Sequence, residues 1–231
     1  MPLVSQPASA SIEKPDYWWY AARAGLLAAA VGEYVGDPAR TLDVGSADGP
    51  SVDWLPPRTS LDLDPAGLMP GGVCGSALAL PFADGAFDLV TAFDVVEHCE
   101  PESVALAEVR RVLAPGGRFL LSVPAYQWAW TDFDVAAGHY RRYTRRRLRD
   151  ALAEAEFTVD RCTHIFAGTL PPFTAERLVR RLRPTAEASL PKVSPAADRV
   201  LRGLCRLDAW WLHRRDLSFG SSVVAAATKP A

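Results

Sequence analysis

The sequence lacks the cysteine pattern of a disulfide framework or a zinc site. It has only four cysteines in 231 residues, with no Cys-x-x-Cys pair and no histidines at matching spacing. They lie far apart, at Cys74, Cys99, Cys162 and Cys205. We therefore expect no bound metal and small, buried or half-buried thiols in a reducing cytoplasm.

The sequence also lacks a long hydrophobic run. No apolar stretch reaches the about 18 residues that a membrane-spanning helix needs, so we expect no membrane partner. Residues 1–14 have neither a basic start nor an apolar centre, which argues against a signal peptide. We predict a disordered lead-in over 1–12 and one domain over 13–231.

Net charge is small, −2, but it is unevenly distributed along the chain. Residues 1–100 hold four Lys/Arg against fourteen Asp/Glu, which gives −10; residues 101–231 hold 21 against 13, which gives +8. The basic half fits either a carboxylate- or phosphate-bearing substrate or a solvated helix face. Because its basic residues lack interleaved stacking aromatics, we expect no nucleic-acid partner.

What the sequence does contain is a strand–turn–strand pattern with glycines and acids. Residues 41–49 read Thr-Leu-Asp-Val-Gly-Ser-Ala-Asp-Gly, and residues 60–64 read Ser-Leu-Asp-Leu-Asp. Glycine lets the backbone approach a ligand closely, and a carboxylate after the second strand can accept both hydroxyls of a ribose. This predicts an adenosyl-type cofactor site, with Asp62 as the ribose acceptor.

Three further motifs follow in order: residues 80–90, residues 93–98, and residues 108–117 leading into a strand at 119–123. With them, the chain resembles the class I S-adenosylmethionine-dependent methyltransferases over roughly residues 40 to 165 and the terminal strand. The resemblance implies an α/β, Rossmann-like fold with a seven-stranded, mostly parallel sheet, an antiparallel edge strand and helices on both faces. It also implies S-adenosyl-L-methionine as the cofactor.

The resemblance places the cofactor at the ends of the first four strands. Ser76 stands where the family usually has an aspartate for the adenine amine, and Ala47 replaces the family's middle glycine. The implied cofactor-binding residues are Asp43, Gly45, Ser46, Gly49, Asp62, Leu63, Ser76, Ala77, Phe93, Asp94 and Val95.

An aromatic-rich segment, residues 126–143, is predicted to border the acceptor. His139 has acids nearby, at Asp132 and Asp134, which favours either a general base or a histidine that only holds the loop. Arg142 and Tyr143 either anchor a substrate anion or pair within the fold. The candidate substrate residues are Trp18, Tyr126, Trp130, Asp134, Arg142 and Tyr143.

The spacing of apolar residues, together with prolines and glycines that end helices and strands, predicts the secondary structure. Strands are expected near 41–45, 59–63, 73–75, 87–93, 118–123, 158–164 and 222–227, and helices within 13–36 and at 51–55, 101–113 and 145–156.

An unusual insertion, residues 166–218, separates the last two predicted strands. Its second helix carries an apolar stripe at Val200, Leu204, Leu207 and Trp211. That stripe predicts either a helical cap on the carboxyl-terminal edge of the sheet or a dimer interface, hence a monomer or a homodimer.

The predicted function is methyl transfer to a small-molecule acceptor. The acceptor atom is expected in a hydroxyl, amine or carboxylate, including those of anionic or sugar-conjugated metabolites. A cofactor-binding protein without transfer activity is the alternative. A nicotinamide-dependent oxidoreductase is disfavoured, because Pro50 occupies the position of the third glycine in Gly-x-Gly-x-x-Gly.

Overall fold

The computed structural model describes residues 17–46, 52–65, 68, 71–184 and 191–231. The predicted lead-in over 1–12 and Gly49 lie outside these residues. The described chain forms a seven-stranded sheet in the order β3-β2-β1-β4-β5-β7-β6. The strands are β1 (Thr41–Val44), β2 (Thr59–Asp62), β3 (Val73–Cys74), β4 (Phe87–Phe93), β5 (Leu113–Pro124), β6 (Thr158–Ile165) and β7 (Ser222–Thr228).

The antiparallel end of the sheet differs in detail from the prediction. Strands β1 to β5 pair in parallel, whereas β7 is antiparallel to both β5 and β6. The last strand, β7, was expected at the edge but lies between β5 and β6, so β6 is outermost. Six of the seven residues of β7 are buried, as its apolar sequence requires between two neighbouring strands.

Helices cover both faces of the sheet, as predicted. They are α1 (Trp18–Val31), α2 (Glu102–Val112), α3 (Asp132–Ala136), α4 (Arg145–Glu154), α5 (Leu170–Leu182) and α6 (Pro195–Leu212). Apolar side chains of α2 and α4, such as Leu106 and Leu148, pack on one face. Side chains of α1 and α6, such as Leu27 and Leu212, pack on the other.

The predicted apolar stripe of the insertion is not the buried face of α6. Val200 and Leu207 are 62% and 53% exposed. The buried residues are instead Cys205, Asp208 and Leu212. The Asp208 carboxylate accepts hydrogen bonds from the Gly168 amide at 3.0 and 3.2 Å, so this polar contact helps to set which face of α6 turns inward.

The short helix predicted at 51–55 is also corrected. Its described part, 52–55, is a turn and not an α-helix: the Leu55 amide donates to the Val52 carbonyl at 3.0 Å, and Pro56 and Pro57 directly after it supply no amide donors. Within the described part of the chain, no helix is long and apolar enough to cross a membrane.

Candidate active site

The carboxyl-terminal ends of β4, β5 and β6 share a backbone feature that marks this edge of the sheet. Each strand is followed within two residues by a non-glycine residue with positive φ: Asp94 (58°), Tyr126 (63°) and Phe166 (63°). Such conformations cost about 1–3 kcal/mol each and cluster at functional sites. All three turn the chain at the edge where open α/β sheets bind ligands.

The turn after β1 requires glycine at position 45. Gly45 has a φ of +72°, and a Cβ there would lie 2.3 Å from Val95 Cγ2. Its amide donates to the Leu61 carbonyl at 2.8 Å, which ties the turn to β2. The buried Ser46 follows it. A side chain at position 45 would push the turn away from Val95 and open this corner of the site.

Asp62 ends β2, and the structure holds its carboxylate at the site. Its Oδ1 accepts the Asp64 amide at 2.9 Å, and its own carbonyl accepts the Gly75 amide at 2.9 Å. The next side chain, Leu63, is 72% exposed. An oriented carboxylate beside an exposed apolar side chain fits a ribose with its attached base.

Asp43 lies in β1 and is held by two partners. Thr91 Oγ1 donates to Asp43 Oδ1 at 2.5 Å, and Arg58 Nε donates to Oδ2 at 3.2 Å. Burial raises the pKa of this carboxyl, while the Thr91 and Arg58 contacts oppose the rise. Asp43 is only 3% exposed, so it supports the turn after β1 from below.

Ser76 and Ala77 follow β3 and are partly buried. The Ser76 hydroxyl accepts the Leu78 amide at 3.1 Å, and Ser76 forms an isolated bridge with Ala79. The serine therefore closes its own turn, and its hydroxyl proton is the group it can offer to a base.

Asp94 forms an ion pair that the sequence did not reveal. Its Oδ2 accepts from Arg23 Nε at 2.9 Å and Nη2 at 2.8 Å, and its Oδ1 accepts from Ser122 Oγ at 3.0 Å. Arg23 Nη2 also donates to the Phe93 carbonyl at 2.9 Å. Arg23 is 2% exposed, so this pair anchors α1 to the site. In the sequence, this ion pair is indicated only by the one charged residue, Arg23, in an otherwise apolar helix.

A second buried carboxylate, Asp134, organises the segment after β5. Its Oδ1 faces His139 Nδ1 at 2.9 Å and accepts from Arg142 Nε at 2.8 Å, and its Oδ2 accepts the Thr131 amide at 3.0 Å. Burial opposes ionisation, but the His139 and Arg142 contacts outweigh it and lower the pKa of Asp134 to about 2. Because an ionised carboxylate only accepts, the imidazole proton lies on Nδ1 and Nε2 is left as the second ring nitrogen.

Helix α5 contributes to the same cluster. Arg177 Nη1 donates to Thr131 Oγ1 at 2.7 Å and lies 3.5 Å from Asp134 Oδ2. Its guanidinium also stacks on Phe133 and Phe173, with centroid distances of 4.8 and 4.9 Å. Helix α5 therefore packs over the segment that follows β5.

Burial favours a role within the fold for three of the predicted substrate residues. Tyr143 is fully buried in the core, and its hydroxyl donates to Glu102. Arg142 is buried, with its remaining donor, Nη1, on the Ala125 carbonyl at 3.0 Å. Asp134 is 0% exposed. All three groups have partners within the fold, which favours the internal-pairing alternative; substrate contact by them stays a prediction.

The other predicted substrate residues line the edge more openly. Tyr126 stacks on Trp128 at 5.5 Å and on His164 at 5.5 Å, and Trp130 is partly buried. Trp18 is partly buried and packs edge-on against Phe166 at 6.3 Å. These rings form an aromatic border beside the ends of β5 and β6.

Glu97, His98 and His139 also meet at this edge. Glu97 and His98 lie in a 3-10 turn, Val96–His98, directly after β4. The His98 and His139 rings are 4.7 Å apart, edge to face. Glu97 is 1% exposed, and burial raises its pKa well above the usual range. Both residues belong to the 93–98 motif of the family resemblance, in which this pair is expected to be architectural and His98 is an alternative substrate contact.

Comparison with known proteins agrees with this fold. The family model described as "Methyltransferase domain" matches residues 42–121, which span β1 to β5. The demethylmenaquinone methyltransferase of Beutenbergia cavernae is 34% identical over 139 residues, covering 54% of each chain. The phthiotriol/phenolphthiotriol dimycocerosates methyltransferase 1 of Mycobacterium ulcerans is 32% identical over 167 residues, covering 62% of this chain and 60% of that protein. The chain thus spans about half the length of the curated relatives it matches.

A solved structure shows the same fold over nearly the whole chain. It is the 1,6-didemethyltoxoflavin-N1-methyltransferase of Burkholderia thailandensis with bound 1,6-didemethyltoxoflavin and S-adenosylhomocysteine. The TM-score is 0.57 at 18% identity, covering 96% of this chain and 85% of that one. Residues 42–121 thus match a methyltransferase domain, and the described chain has the fold of the class I S-adenosylmethionine-dependent methyltransferases.

Proposed function

We propose that this protein transfers the methyl group of S-adenosyl-L-methionine to a small-molecule acceptor. The observation that carries the proposal is the juxtaposition of the Gly45 turn, which packs on Val95, with the oriented Asp62 carboxylate. Both lie inside the matched methyltransferase domain. When bound, the cofactor supplies a methyl group that its sulfonium already activates.

The residues on the first four strands fit the cofactor. Asp62 is placed to accept from the ribose hydroxyls, and exposed Leu63 offers an apolar surface to the adenine. Ser76 and Ala77 border the edge of the base, and the turn at Gly45 provides backbone amides. We propose that Gly49, from the same sequence motif, belongs to this set.

The residues after β5 form the acceptor side in this proposal. They hold the acceptor in line with the methyl group and exclude water, which are the protein's main contributions when the donor is already activated. His139, oriented by Asp134, presents Nε2 as the proton acceptor for a hydroxyl or amine. Helix α5, and the insertion of which it is part, serve as a cap over this side.

The chemistry of the border favours an acceptor with a planar or apolar body. Trp128 is 45% exposed, and Tyr126 stacks on it. Two relatives carry names with very different acceptors, demethylmenaquinone and phthiotriol dimycocerosates. We therefore infer the acceptor class from the site, not from either name.

We also propose a reducing, cytoplasmic setting. All four cysteines are free, and three of them are buried. Burial raises the pKa of Cys99 to about 11, of Cys162 to about 11 and of Cys205 to about 12, so these thiols stay protonated and unreactive.

The cofactor assignment is tested by replacing Asp62 and Asp64, two aspartates of the same turn, one at a time. Asp62→Ala should weaken S-adenosylhomocysteine binding at least tenfold in calorimetry, because a charge-assisted hydrogen bond contributes about 1.5–3 kcal/mol. Asp64→Ala is the matched control, since Asp62 accepts from the Asp64 amide and not from its side chain. Unchanged affinity in a folded Asp62→Ala protein would overturn the ribose assignment. Absence of cofactor binding by the unaltered protein would overturn the proposed function.

A further inference from the structure

We propose that Glu97, His98 and His139 form a binding site for one divalent transition-metal ion of the zinc type. One ligand atom from each residue lies within 4.8 Å of the others. The three residues come from two segments, the turn after β4 and the segment after β5. The proposal departs from the sequence analysis, which expected no metal because it found no cysteine or histidine spacing.

A buried carboxylate oxygen points to a missing partner at this site. Glu97 Oε2 is buried and has no hydrogen-bond partner among the described residues. Buried polar atoms almost always have a hydrogen-bond partner, so an unpartnered buried oxygen indicates a group that binds there. A cation between Glu97 and the two imidazoles supplies that partner.

The two segments are fixed relative to each other. The Tyr140 amide donates to the Glu97 carbonyl at 2.8 Å, next to His139 in the chain. This bond holds the donors at a defined separation before any ion arrives. Small side-chain rotations can then bring the ligand atoms to metal–ligand distances of about 2.0–2.2 Å.

His139 already has the outer contact that metal-bound histidines carry. Its Nδ1 faces Asp134 Oδ1 at 2.9 Å, so Nε2 is the nitrogen directed away from the carboxylate. A carboxylate behind a histidine ligand fixes the ring and raises its basicity. Arg142 and Thr131 hold Asp134 in turn, so the whole support is preformed.

The donor set indicates the kind of ion. Two imidazoles and one carboxylate suit Zn²⁺ and its neighbours better than Mg²⁺ or Ca²⁺, which prefer oxygen ligands. Three protein ligands also leave a position open, as in catalytic zinc sites.

This inference rests on the proposed function for its purpose. The site lies between the ends of β4 and β5, on the acceptor side. There the open position would bind a hydroxyl or carboxylate oxygen of the acceptor. His139 Nε2 is a metal ligand when the ion is bound, and it is the proton acceptor of the proposed function when the ion is not bound.

The experiment titrates metal-free full-length protein with Zn²⁺ in a calorimeter and with Co²⁺ in visible absorption. We expect one equivalent to bind. Glu97→Gln, His98→Gln and His139→Gln should each weaken binding at least tenfold, because each removes one of three ligands. His213→Gln is the control, since His213 is exposed at the end of α6, remote in sequence from the site. Thermal unfolding checks that each variant is folded.

The inference would be overturned if the unaltered protein bound no stoichiometric metal ion. It would also be overturned if the three ligand variants kept the metal affinity, or if His213→Gln lost as much affinity as they do. S-adenosylhomocysteine affinity is measured on the same samples. If that affinity is normal while metal binding is absent, only the metal site fails. If cofactor binding is absent while metal binding is present, the proposed function fails and the site stands.

Discussion

At the scale of single residues, the pair between Arg23 and Asp94 joins helix α1 to the end of β4. Arg23 is almost fully buried, and Trp19 packs on its guanidinium at 5.5 Å. A buried ion pair contributes little net stability, but breaking one leaves the other charge uncompensated. Asp94 was predicted to contact the cofactor or substrate; the structure shows that Arg23 and Ser122 already hold it.

We therefore expect Arg23→Met to lower the free energy of unfolding by about 3 kcal/mol. Arg40→Met, which removes the exposed pair with Asp88, should cost about 1 kcal/mol or less. Urea denaturation of both variants measures the difference. Similar losses in the two would show that Arg23 is not a specific support of the site.

His164 is the second residue whose environment has a measurable consequence. It is 4% exposed, and its ring stacks on Tyr126 at the aromatic border. Burial lowers the pKa of His164 to about 4, although its contact with the Leu217 carbonyl opposes this. Between pH 6.5 and 4 the unfolded chain therefore binds a proton that the folded chain does not.

This difference predicts that acid destabilises the protein through His164. The free energy of unfolding is not reduced by this residue above the unfolded-state pKa of about 6.5. As the pH decreases below that value the free energy of unfolding falls, by about 2 kcal/mol at pH 5. His164→Phe keeps a ring on Tyr126 but cannot titrate, so it should lose about 2 kcal/mol less between pH 7.5 and 5. Denaturation at the two pH values tests this, with His213→Gln as control. An unchanged pH dependence in His164→Phe would contradict the expectation.

At the scale of elements, the insertion consists of two helices with different contacts. Helix α5 reaches the segment after β5 through Arg177. Helix α6 packs beside α1 on one face of the sheet and is fixed to the Gly168 amide through Asp208. Of the two described helices of the insertion, α5 is therefore the one that packs over the segment after β5.

Two leucines of α6 test which face of this helix is docked. Leu212→Ala should lower the free energy of unfolding by about 2–5 kcal/mol, because Leu212 is 1% exposed. Leu207→Ala should change it by about 0.5 kcal/mol or less, because Leu207 is largely exposed. Light scattering of the Leu207→Ala protein adds the oligomeric state. A large loss at Leu207, or a change in mass, would indicate that the predicted stripe is a docking seam after all.

At the scale of the whole molecule, the last strand holds the sheet together. Strand β7 pairs with β5 along Arg118–Pro124 and with β6 along Thr158–Ile165. Lys229 continues this contact through its amide, which donates to the Gly117 carbonyl at 2.9 Å. The final segment is thus an interior strand of the fold.

Truncated chains test how far the fold depends on β7. A chain ending at Ser218 should lose cooperative thermal unfolding, because β5 and β6 would both lose their partner strand. A chain ending at Lys229 keeps all of β7 and should unfold within a few degrees of the full chain. Calorimetry compares the two. Cooperative unfolding of the shorter chain would show that β7 is dispensable.

The positions of the strands and turns along the chain were predictable because they depend on residues that are neighbours in sequence. Alternating and continuous apolar runs located all seven strands. Six of them agree with the structure within one residue at each end, whereas β5 begins five residues earlier than expected. Consecutive residues likewise identify the Gly45 turn, Asp62 and the family's motifs. These features predicted the fold class and the cofactor.

The tertiary structure decided what depends on contacts between distant segments. Strand β7 entered the interior of the sheet because strand order follows from pairing, which periodicity does not encode. Helix α6 turned Asp208 inward because a backbone amide 40 residues away needed an acceptor. Arg23 met Asp94 across 71 residues. Glu97 and His139 likewise came together only on folding, because ion pairs and ligand sets form between side chains whose separation in space is independent of their separation in sequence.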